Sequence, residues 1–286
     1  MAVSVEDVDW SVLGELRCEL GESPVWDAGR LHLVDVTGHT VWTLDPIAGT
    51  AHGVTCARRL TALVPAAGGG WWLGVAGRDL GAFDPYDGTF RTVLSVPGPA
   101  DLAFNDAVCG RDGMLYTGSV DRGRAGRAAL HVVGADLGHR VVAAGVGASN
   151  GLDTSPDGTV LYHADTFAGT VTAYGPDRRR VASVRVDRPD GIAVDADGGV
   201  WVALWGSGLV RRYTAELRPD RALRVPAPLV SNVAFGGPAL RVMFVTTART
   251  AGVPGSGAVF TADVGARGLP AARFAVRPGI GHEGSL

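Results

Sequence analysis

The sequence predicts an all-β fold, a six-bladed β-propeller, and three observations support this. A unit of polar turn, short strand, tight turn and second strand recurs along the chain, as in residues 150–162 and 190–202. Its copies start 40 to 45 residues apart, which is the repeat length of propeller blades, at Glu22, Leu63, Asn105, Asn150, Asp190 and Asn232. No stretch shows strong helical periodicity, and this excludes an α/β barrel.

Glycine is the most informative part of the composition. The 286 residues include 42 glycines without a collagen-like period, which indicates many turns and therefore many short strands. The turn of the fourth copy is Pro156-Asp157-Gly158. Proline fixes φ, aspartate bonds its own backbone, and glycine tolerates a positive φ, so this tripeptide favours a tight hairpin turn.

Each blade is assigned from apolar runs that end at Gly, Pro or Asp turn residues. In chain order, the predicted strands include 30–36, 40–44, 71–75, 80–83, 130–133, 160–164, 171–174, 200–204, 209–213, 242–246 and 258–263. They form one domain, 1–286, with blades at roughly 22–62, 63–104, 105–149, 150–189, 190–231 and 232–280. We expect segment 12–20 to complete the last blade beside residues 273–276 and to leave no free sheet edge.

Charge and cysteine content limit the partners and the compartment. A net charge of −3 argues against nucleic-acid binding, and no apolar run approaches the roughly 20 residues of a membrane helix. Residues 1–11 lack the basic and apolar regions of a signal peptide. Three widely spaced cysteines predict reduced thiols in a cytoplasmic protein. We expect a small-molecule substrate and a monomer or homodimer.

Polar residues open the innermost strands of five copies, and equivalent positions of the blades converge on the channel axis. They are Glu22, Asn105, Asn150, Asp190 and Asn232. Carboxylate and carboxamide oxygens suit one divalent metal ion, with Ca²⁺ favoured and Zn²⁺, Mg²⁺ or Mn²⁺ as alternatives. A single Asn or Asp before Gly more often only caps a turn. Because Asn, Asp or Glu recurs at the equivalent position of several blades, the metal site is the favoured interpretation.

Four motifs in order at blade spacing give the chain a resemblance to a known family. They are Leu20-Gly21-Glu22-Ser23-Pro24-Val25-Trp26, Phe104-Asn105-Asp106, Ser149-Asn150-Gly151-Leu152 and Pro189-Asp190-Gly191. The chain resembles the SMP-30/gluconolactonase/regucalcin family over about residues 14–265. This resemblance implies a six-bladed propeller that binds one divalent metal in its channel and hydrolyses sugar lactones.

The resemblance also implies roles for single residues. Glu22, Asn150 and Asp190 match the metal ligands, and Asp190 also matches the general base. Asn105, together with Asp106 of the same Asn-Asp pair, is assigned to substrate binding.

One position departs from the family pattern. Many members carry an arginine that grips substrate oxygens two residues before the Asn of the Asn-Asp pair, where this chain has Ala103. Losing that donor predicts a substrate less polar than a sugar-acid lactone. The Arg-rich loop 121–127 is either a replacement donor or a solvated loop.

Two further residues are predicted near the substrate. His163 and Trp205 lie just past strands at the channel by the blade register. Either could line the pocket, and for His163 simple packing within the strand is an equal alternative.

The predicted function is hydrolysis of a lactone or ester by a divalent-metal-dependent enzyme. No Gly-x-Ser-x-Gly motif points to a covalent triad. Two alternatives stay open: a related metal-dependent propeller enzyme of secondary metabolism with non-hydrolytic chemistry, and a non-catalytic calcium-binding propeller.

Overall fold

The computed structural model describes residues 3–68 and 70–276. Within these ranges the chain forms six mainly antiparallel sheets arranged as the blades of a propeller, and this confirms the predicted fold class. The parts of the predicted domain at residues 1, 2, 69 and 277–286 lie outside the described residues. In the described ranges, no helix has the length and apolar character needed to cross a membrane.

The strands follow the chain around the ring in order. Two short strands, β1 (Val5–Asp7) and β2 (Ser11–Val12), come before the first blade. Blade one contains β3 (Gly21–Asp27), β4 (Arg30–Asp35), β5 (Thr40–Asp45) and β6 (Thr50–Thr55). Blade two contains β7 (Ala62–Pro65), β8 (Trp72–Ala76), β9 (Asp79–Phe83) and β10 (Phe90–Ser95). Blade three contains β11 (Leu102–Cys109), β12 (Leu115–Asp121), β13 (Ala128–Val133) and β14 (His139–Val146).

The second half of the ring repeats the pattern. Blade four contains β15 (Ser149–Thr154), β16 (Leu161–Asp165), β17 (Thr170–Tyr174) and β18 (Arg180–Arg185). Blade five contains β19 (Pro189–Val194), β20 (Val200–Leu204), β21 (Leu209–Tyr213) and β22 (Pro219–Arg224). Blade six contains β23 (Val230–Gly236), β24 (Val242–Thr247) and β25 (Phe260–Asp263), with β2 as its fourth strand.

The first strand of each blade lies against the first strand of the next, and β23 contacts β3 to close the ring. The apolar core fills the spaces between neighbouring sheets. Between blades five and six, for example, Trp201 packs edge-to-face on Phe235 with 6.0 Å between ring centroids, a favourable geometry for two aromatic rings. The first strands therefore line a central channel, and side chains that leave them on the inner side meet there.

The predicted closing segment does join blade six, but its length and its strand partner differ from the prediction. Only Ser11–Val12 of this region is a strand, and it pairs with β25 at Phe260 and Thr261. Residues 273–276 lie instead against blade two, where Phe274 is fully buried and bridges to Ala66. Burial of this large ring between blades two and three decides the position of the C-terminal segment.

The N-terminal residues also make a contact that the sequence did not indicate. The strand β1 adds to blade five as a fifth strand, parallel to β22. Trp10 connects the two N-terminal strands, and its Nε1 donates a hydrogen bond of 2.6 Å to the carbonyl oxygen of Arg224. One short segment therefore covers the outer edges of two neighbouring blades, as protection of exposed edges requires.

The innermost strand departs from regular pairing in five of the six blades. The register shifts fall between Glu22 and Val25, Phe104 and Ala107, Ser149 and Leu152, Pro189 and Ile192, and Val230 and Asn232. A β-bulge bends its strand and re-aims the side chains within it. These bulges contain or adjoin the polar residues that the sequence places at the channel.

Candidate metal-binding and catalytic site

The six innermost strands run in the same direction, so their first residues lie at one end of the channel. A cavity of about 300 Å³ lies at this end, and we call it the front cavity. Its walls include six of the residues selected from the sequence: Glu22, Ala103, Asn105, Asn150, Asp190 and Trp205. Residues that are more than 180 positions apart in the chain are therefore brought to one small space.

Glycine makes the close approach of the inner strands possible. A Cβ atom on Gly151 would lie 2.4 Å from the carbonyl oxygen of Asp190, and one on Gly191 would lie 2.0 Å from Asn232 Oδ1. Neither glycine has a positive φ. The glycine that follows Asn150 and Asp190 is therefore needed for packing between blades, and not for the turn that such dipeptides usually form.

Ser23 takes the equivalent place after Glu22, at a φ of 47°. This left-handed conformation is strained for a residue with a Cβ. Ser23 Oγ accepts a hydrogen bond of 2.9 Å from the amide of Leu63 in the next blade, which holds the strained residue in place. The Glu22 side chain is thus positioned by a link between two blades.

The carboxylates of the front cavity are crowded and poorly compensated. Asp190 is 4% exposed, and its Oδ1 has no hydrogen-bond partner among the described residues. Burial, then the charges of Glu22 and Asp106, raise the pKa of Asp190 well above its ordinary value. Burial and the neighbouring Asp106 raise the pKa of Glu22 to about 8. Adjacent buried carboxylates without a cation disfavour their own ionised forms.

Hydrogen bonds orient the two carboxamides of the cavity. Asn150 Nδ2 donates to Thr166 Oγ1 at 3.2 Å, and Thr166 Oγ1 donates to the carbonyl oxygen of Pro189 at 2.7 Å. Asn105 Nδ2 donates to the carbonyl oxygen of Ser149 at 3.0 Å. In both residues the NH₂ group is engaged and the Oδ1 atom is left to accept or to coordinate. Sequence reasoning missed Thr166, because a single Thr after a strand carries no signal of this contact.

These donors fit a hard divalent cation. Glu22, Asn150 and Asp190 offer only oxygen atoms, and one buried oxygen of Asp190 lacks any partner in the described chain. In the part of the chain that the structure describes, no three His, Cys, Asp or Glu side chains form a metal-binding group. The amide oxygen of Asn150 borders the same cavity and is a further oxygen donor of the kind that such cations accept.

The other end of the channel contains a second, smaller cavity of about 130 Å³, which we call the rear cavity. Asp106, Asp153 and Asn232 line it. Asn232 Nδ2 donates to Glu22 Oε2 at 3.0 Å, and its Oδ1 accepts from its own neighbour Val233. Asn232 therefore presents an NH₂ group to the carboxylates, which suits a residue that positions Glu22 better than a metal ligand.

His163 lies away from the front cavity. It is 2% exposed, and its Nε2 atom lies 2.8 Å from Ser149 Oγ. This contact favours the interpretation of His163 as a packed strand residue. Asp106 contacts Asn232 Nδ2 at 3.4 Å, behind the front cavity. Substrate contact by His163 and Asp106 stays a prediction, and neither residue borders the cavity that contains Asp190.

The arginines of loop 121–127 differ in their surroundings. Arg127 pairs with Asp121 and Asp101, and Arg124 lies over the Phe167 ring, 4.6 Å from its centroid. Arg122 alone of the three borders the front cavity, where Arg59 from the loop before β7 joins it. Sequence reasoning missed Arg59, because its loop belongs to a different blade.

This geometry defines a class of protein: a six-bladed β-propeller whose channel brings carboxylate and carboxamide oxygens together in one cavity. Residues 20–249 match the SMP-30/gluconolactonase/LRE-like region. The chain belongs to this family, as its sequence motifs indicated.

Relatives and solved structures agree with the assignment. The pentonolactonase XacC of Haloferax volcanii is 32% identical over 93% of this chain and 98% of its own. The 6-deoxy-6-sulfogluconolactonase of Pseudomonas putida is 31% identical over 90% of this chain and 95% of its own. The crystal structure of a calcium-binding regucalcin from Agrobacterium tumefaciens superposes with a TM-score of 0.86, covering 96% of this chain and all of that one at 21% identity.

Proposed function

We propose that this protein is a divalent-metal-dependent hydrolase of a lactone or ester. The observation that carries the proposal is the buried, unpartnered Oδ1 of Asp190 beside Glu22 in a cavity open to small molecules. The two relatives described above are named as lactonases, which supports ring opening as the reaction.

Glu22, Asn150 and Asp190 would hold the cation, with Ca²⁺ the best match to an all-oxygen donor set. When bound, a divalent cation polarises a carbonyl oxygen, lowers the pKa of a water molecule and favours the ionised form of nearby carboxylates. Thr166 keeps the Asn150 amide in the orientation that presents its oxygen, and Asn232 restrains Glu22 in the same way.

Asp190 acts as the general base. It accepts a proton from the water that attacks the carbonyl carbon, and the C–O bond of the ring then breaks. Asp190 then donates this proton to the ring oxygen that leaves. Asn105 orients the substrate or the water through its amide oxygen, because its NH₂ group is bonded to Ser149. No side chain needs to form a covalent bond to the substrate.

The wall at Ala103 favours an apolar part of the substrate. Ala103 and Phe104 border the front cavity together with Val120 and Trp205. None of these side chains offers the guanidinium fork that holds polar oxygens in the family pattern. We therefore infer a substrate with fewer hydroxyl groups than a sugar-acid lactone, bound with its ring against this wall.

A hydrolysis screen on metal-stripped protein tests the proposal, with each cation added back separately. We expect turnover of lactones only with cation present. Stoichiometric cation binding without turnover of any lactone or ester would contradict the proposal and favour the non-catalytic calcium-binding alternative. Products other than the ring-opened acid would favour non-hydrolytic chemistry.

A second experiment tests the substrate class. We expect the wild type to have a higher kcat/KM for an alkyl lactone than for an aldonolactone, and Ala103→Arg to shift the preference towards the aldonolactone. Efficient aldonolactone hydrolysis by the wild type would show that another residue supplies the missing donor. The three free, buried cysteines suit a reducing compartment, and a cytoplasmic location stays a prediction.

A further inference from the structure

Two arginines from different blades line the front cavity. Arg59 comes from the loop between β6 and β7, and Arg122 directly follows β12. Both border the front cavity, and both also border an adjoining space of about 400 Å³. Ala103 lines both spaces as well, so the position that lacks the family's arginine lies in the wall where the two spaces meet.

The neighbouring arginines already have partners, and these two have none among the residues that the structure describes. Arg58 donates to Asp79 Oδ2 at 2.6 Å and to the carbonyl oxygen of Ala76, and Arg78 donates to the carbonyl oxygen of Pro99. In residues 3–68 and 70–276, the side chains of Arg59 and Arg122 donate no hydrogen bond and have no carboxylate within ion-pair distance. Both residues are exposed, so their side chains are available to a ligand.

The adjoining space has a large excess of positive charge. Four arginines line it, Arg58, Arg59, Arg78 and Arg122, against one carboxylate, Asp79, which is paired with Arg58. Charges of one sign that line a concave surface focus the field there and attract an ion of opposite sign. Arginine also has the planar fork of donors that matches a carboxylate, sulfonate or phosphate group.

We propose that Arg59 and Arg122 bind an oxyanion substituent of the substrate, a carboxylate or a group of like geometry, at the end remote from the scissile carbonyl. The position of that carbonyl rests on the proposed function, since the ligands of the cation fix it. The preferred substrate is then a lactone with few hydroxyl groups and one anionic group: its ring lies against Ala103 and Phe104, and its anion faces the two arginines.

The kinetic test compares two lactones that differ only in charge: 2-hydroxyglutarate γ-lactone, which carries a carboxylate, and its primary carboxamide. We expect the wild type to prefer the anion by about 10- to 100-fold in kcat/KM, since hydrogen bonds to charged groups are worth that much. Arg59→Gln and Arg122→Gln should each lower this preference, mainly through KM, and the double variant should abolish it.

Arg124→Gln is the matched control, because it removes one positive charge from the same loop as Arg122 but from a side chain that lies over Phe167. It should keep the wild-type preference. Raising the salt concentration should weaken the preference in the wild type, as screening requires. Circular dichroism of each variant verifies that the fold is retained.

A binding experiment separates this inference from the proposed function. The ketone 3-oxocyclopentane-1-carboxylate has the shape of the lactone but cannot be hydrolysed, and its carboxamide is the neutral control. Calorimetry should give a lower Kd for the carboxylate in the wild type and equal values in the double variant. Preferential binding without lactone turnover would overturn the hydrolase proposal alone. Turnover of both lactones without any preference, or equal binding of both ketones, would overturn the role of Arg59 and Arg122.

Discussion

The same six innermost strands build the two ends of the channel, and both ends contain buried carboxylates. In the rear cavity the backbone satisfies Asp153, which accepts hydrogen bonds from the amides of Val194 at 2.8 Å and Thr154 at 2.7 Å. In the front cavity, Asp190 Oδ1 has no partner in the described chain. Burial raises the pKa of Asp153 only to about 6, whereas that of Glu22 reaches about 8.

This difference shows how a symmetric scaffold distinguishes a structural carboxylate from a candidate ligand. A carboxylate whose two oxygens both accept backbone N–H bonds is part of the fold, because neither oxygen is left for a ligand. A buried carboxylate that lacks such bonds is costly unless a cation or a proton compensates it. The front end is therefore the end at which we expect binding and chemistry.

The largest expected effect is on kcat/KM, and it distinguishes Asp190 in the front cavity from Asp153 in the rear cavity. Asp190→Asn should lower lactone kcat/KM by about 10²- to 10⁴-fold, as loss of a general base does, and should also reduce the content of bound metal. Asp153→Asn should keep kcat/KM close to the wild type and should lower the free energy of unfolding, because one backbone amide loses its acceptor. Steady-state kinetics, elemental analysis and urea unfolding measure these quantities. Equal loss of activity in the two variants would contradict the distinction.

The next effect concerns the residue that orients Asn150. Thr166→Val keeps the shape of the side chain but removes the bonds to Asn150 and Pro189. Residues that hold a metal ligand in place typically contribute 10- to 100-fold in metal affinity, so we expect weaker binding of about that size in a calcium titration. Thr166→Ser retains the hydroxyl and should restore most of the affinity. Wild-type affinity in Thr166→Val would show that the hydroxyl of Thr166 does not hold Asn150 for the cation.

Removing the metal should lower the free energy of unfolding, and this effect should depend only on the site in the front cavity. Saturating Ca²⁺ at about 100 times its Kd should stabilise the wild type by about 2.7 kcal/mol. Asp190→Asn should lose this stabilisation. In metal-free protein the same variant should melt above the wild type, because one of the crowded carboxylates is neutralised. Calorimetric melting with and without chelator measures both effects, and a cation response retained in Asp190→Asn would place the ion elsewhere.

The smallest effect tests the packing interpretation of His163. Ser149→Ala removes the partner of a buried ring nitrogen and should cost about 1–3 kcal/mol of unfolding free energy. It should leave kcat/KM near the wild type, since neither side chain borders the front cavity. A drop in kcat/KM comparable to that of Asp190→Asn, with stability unchanged, would instead assign His163 to the chemistry.

Much of the fold could be predicted from the sequence, because it depends on local chemistry. Strands such as Val200–Leu204 and Leu209–Tyr213 are apolar runs between turn residues, and both agree with the predicted ranges. The blade count follows from a regular period, and the selection of Glu22, Asn150 and Asp190 follows from polar residues in phase with it. The closing segment joins the predicted blade, but its length and partner differ from the prediction, because the sequence carries no measure of which distant segment a short strand will pair with.

By itself, the sequence determined the number of blades, the order of the strands and the polar residues that open the innermost strands. Only the tertiary structure decided which of these polar residues share a cavity. It placed Asn105 at the front cavity and Asn232 at the rear cavity. It also placed Arg59 and Arg122 at the same cavity and set Thr166 within hydrogen-bond distance of Asn150. These contacts depend on where bulges turn side chains and how closely neighbouring blades approach, and such geometry arises between segments that are distant in the chain.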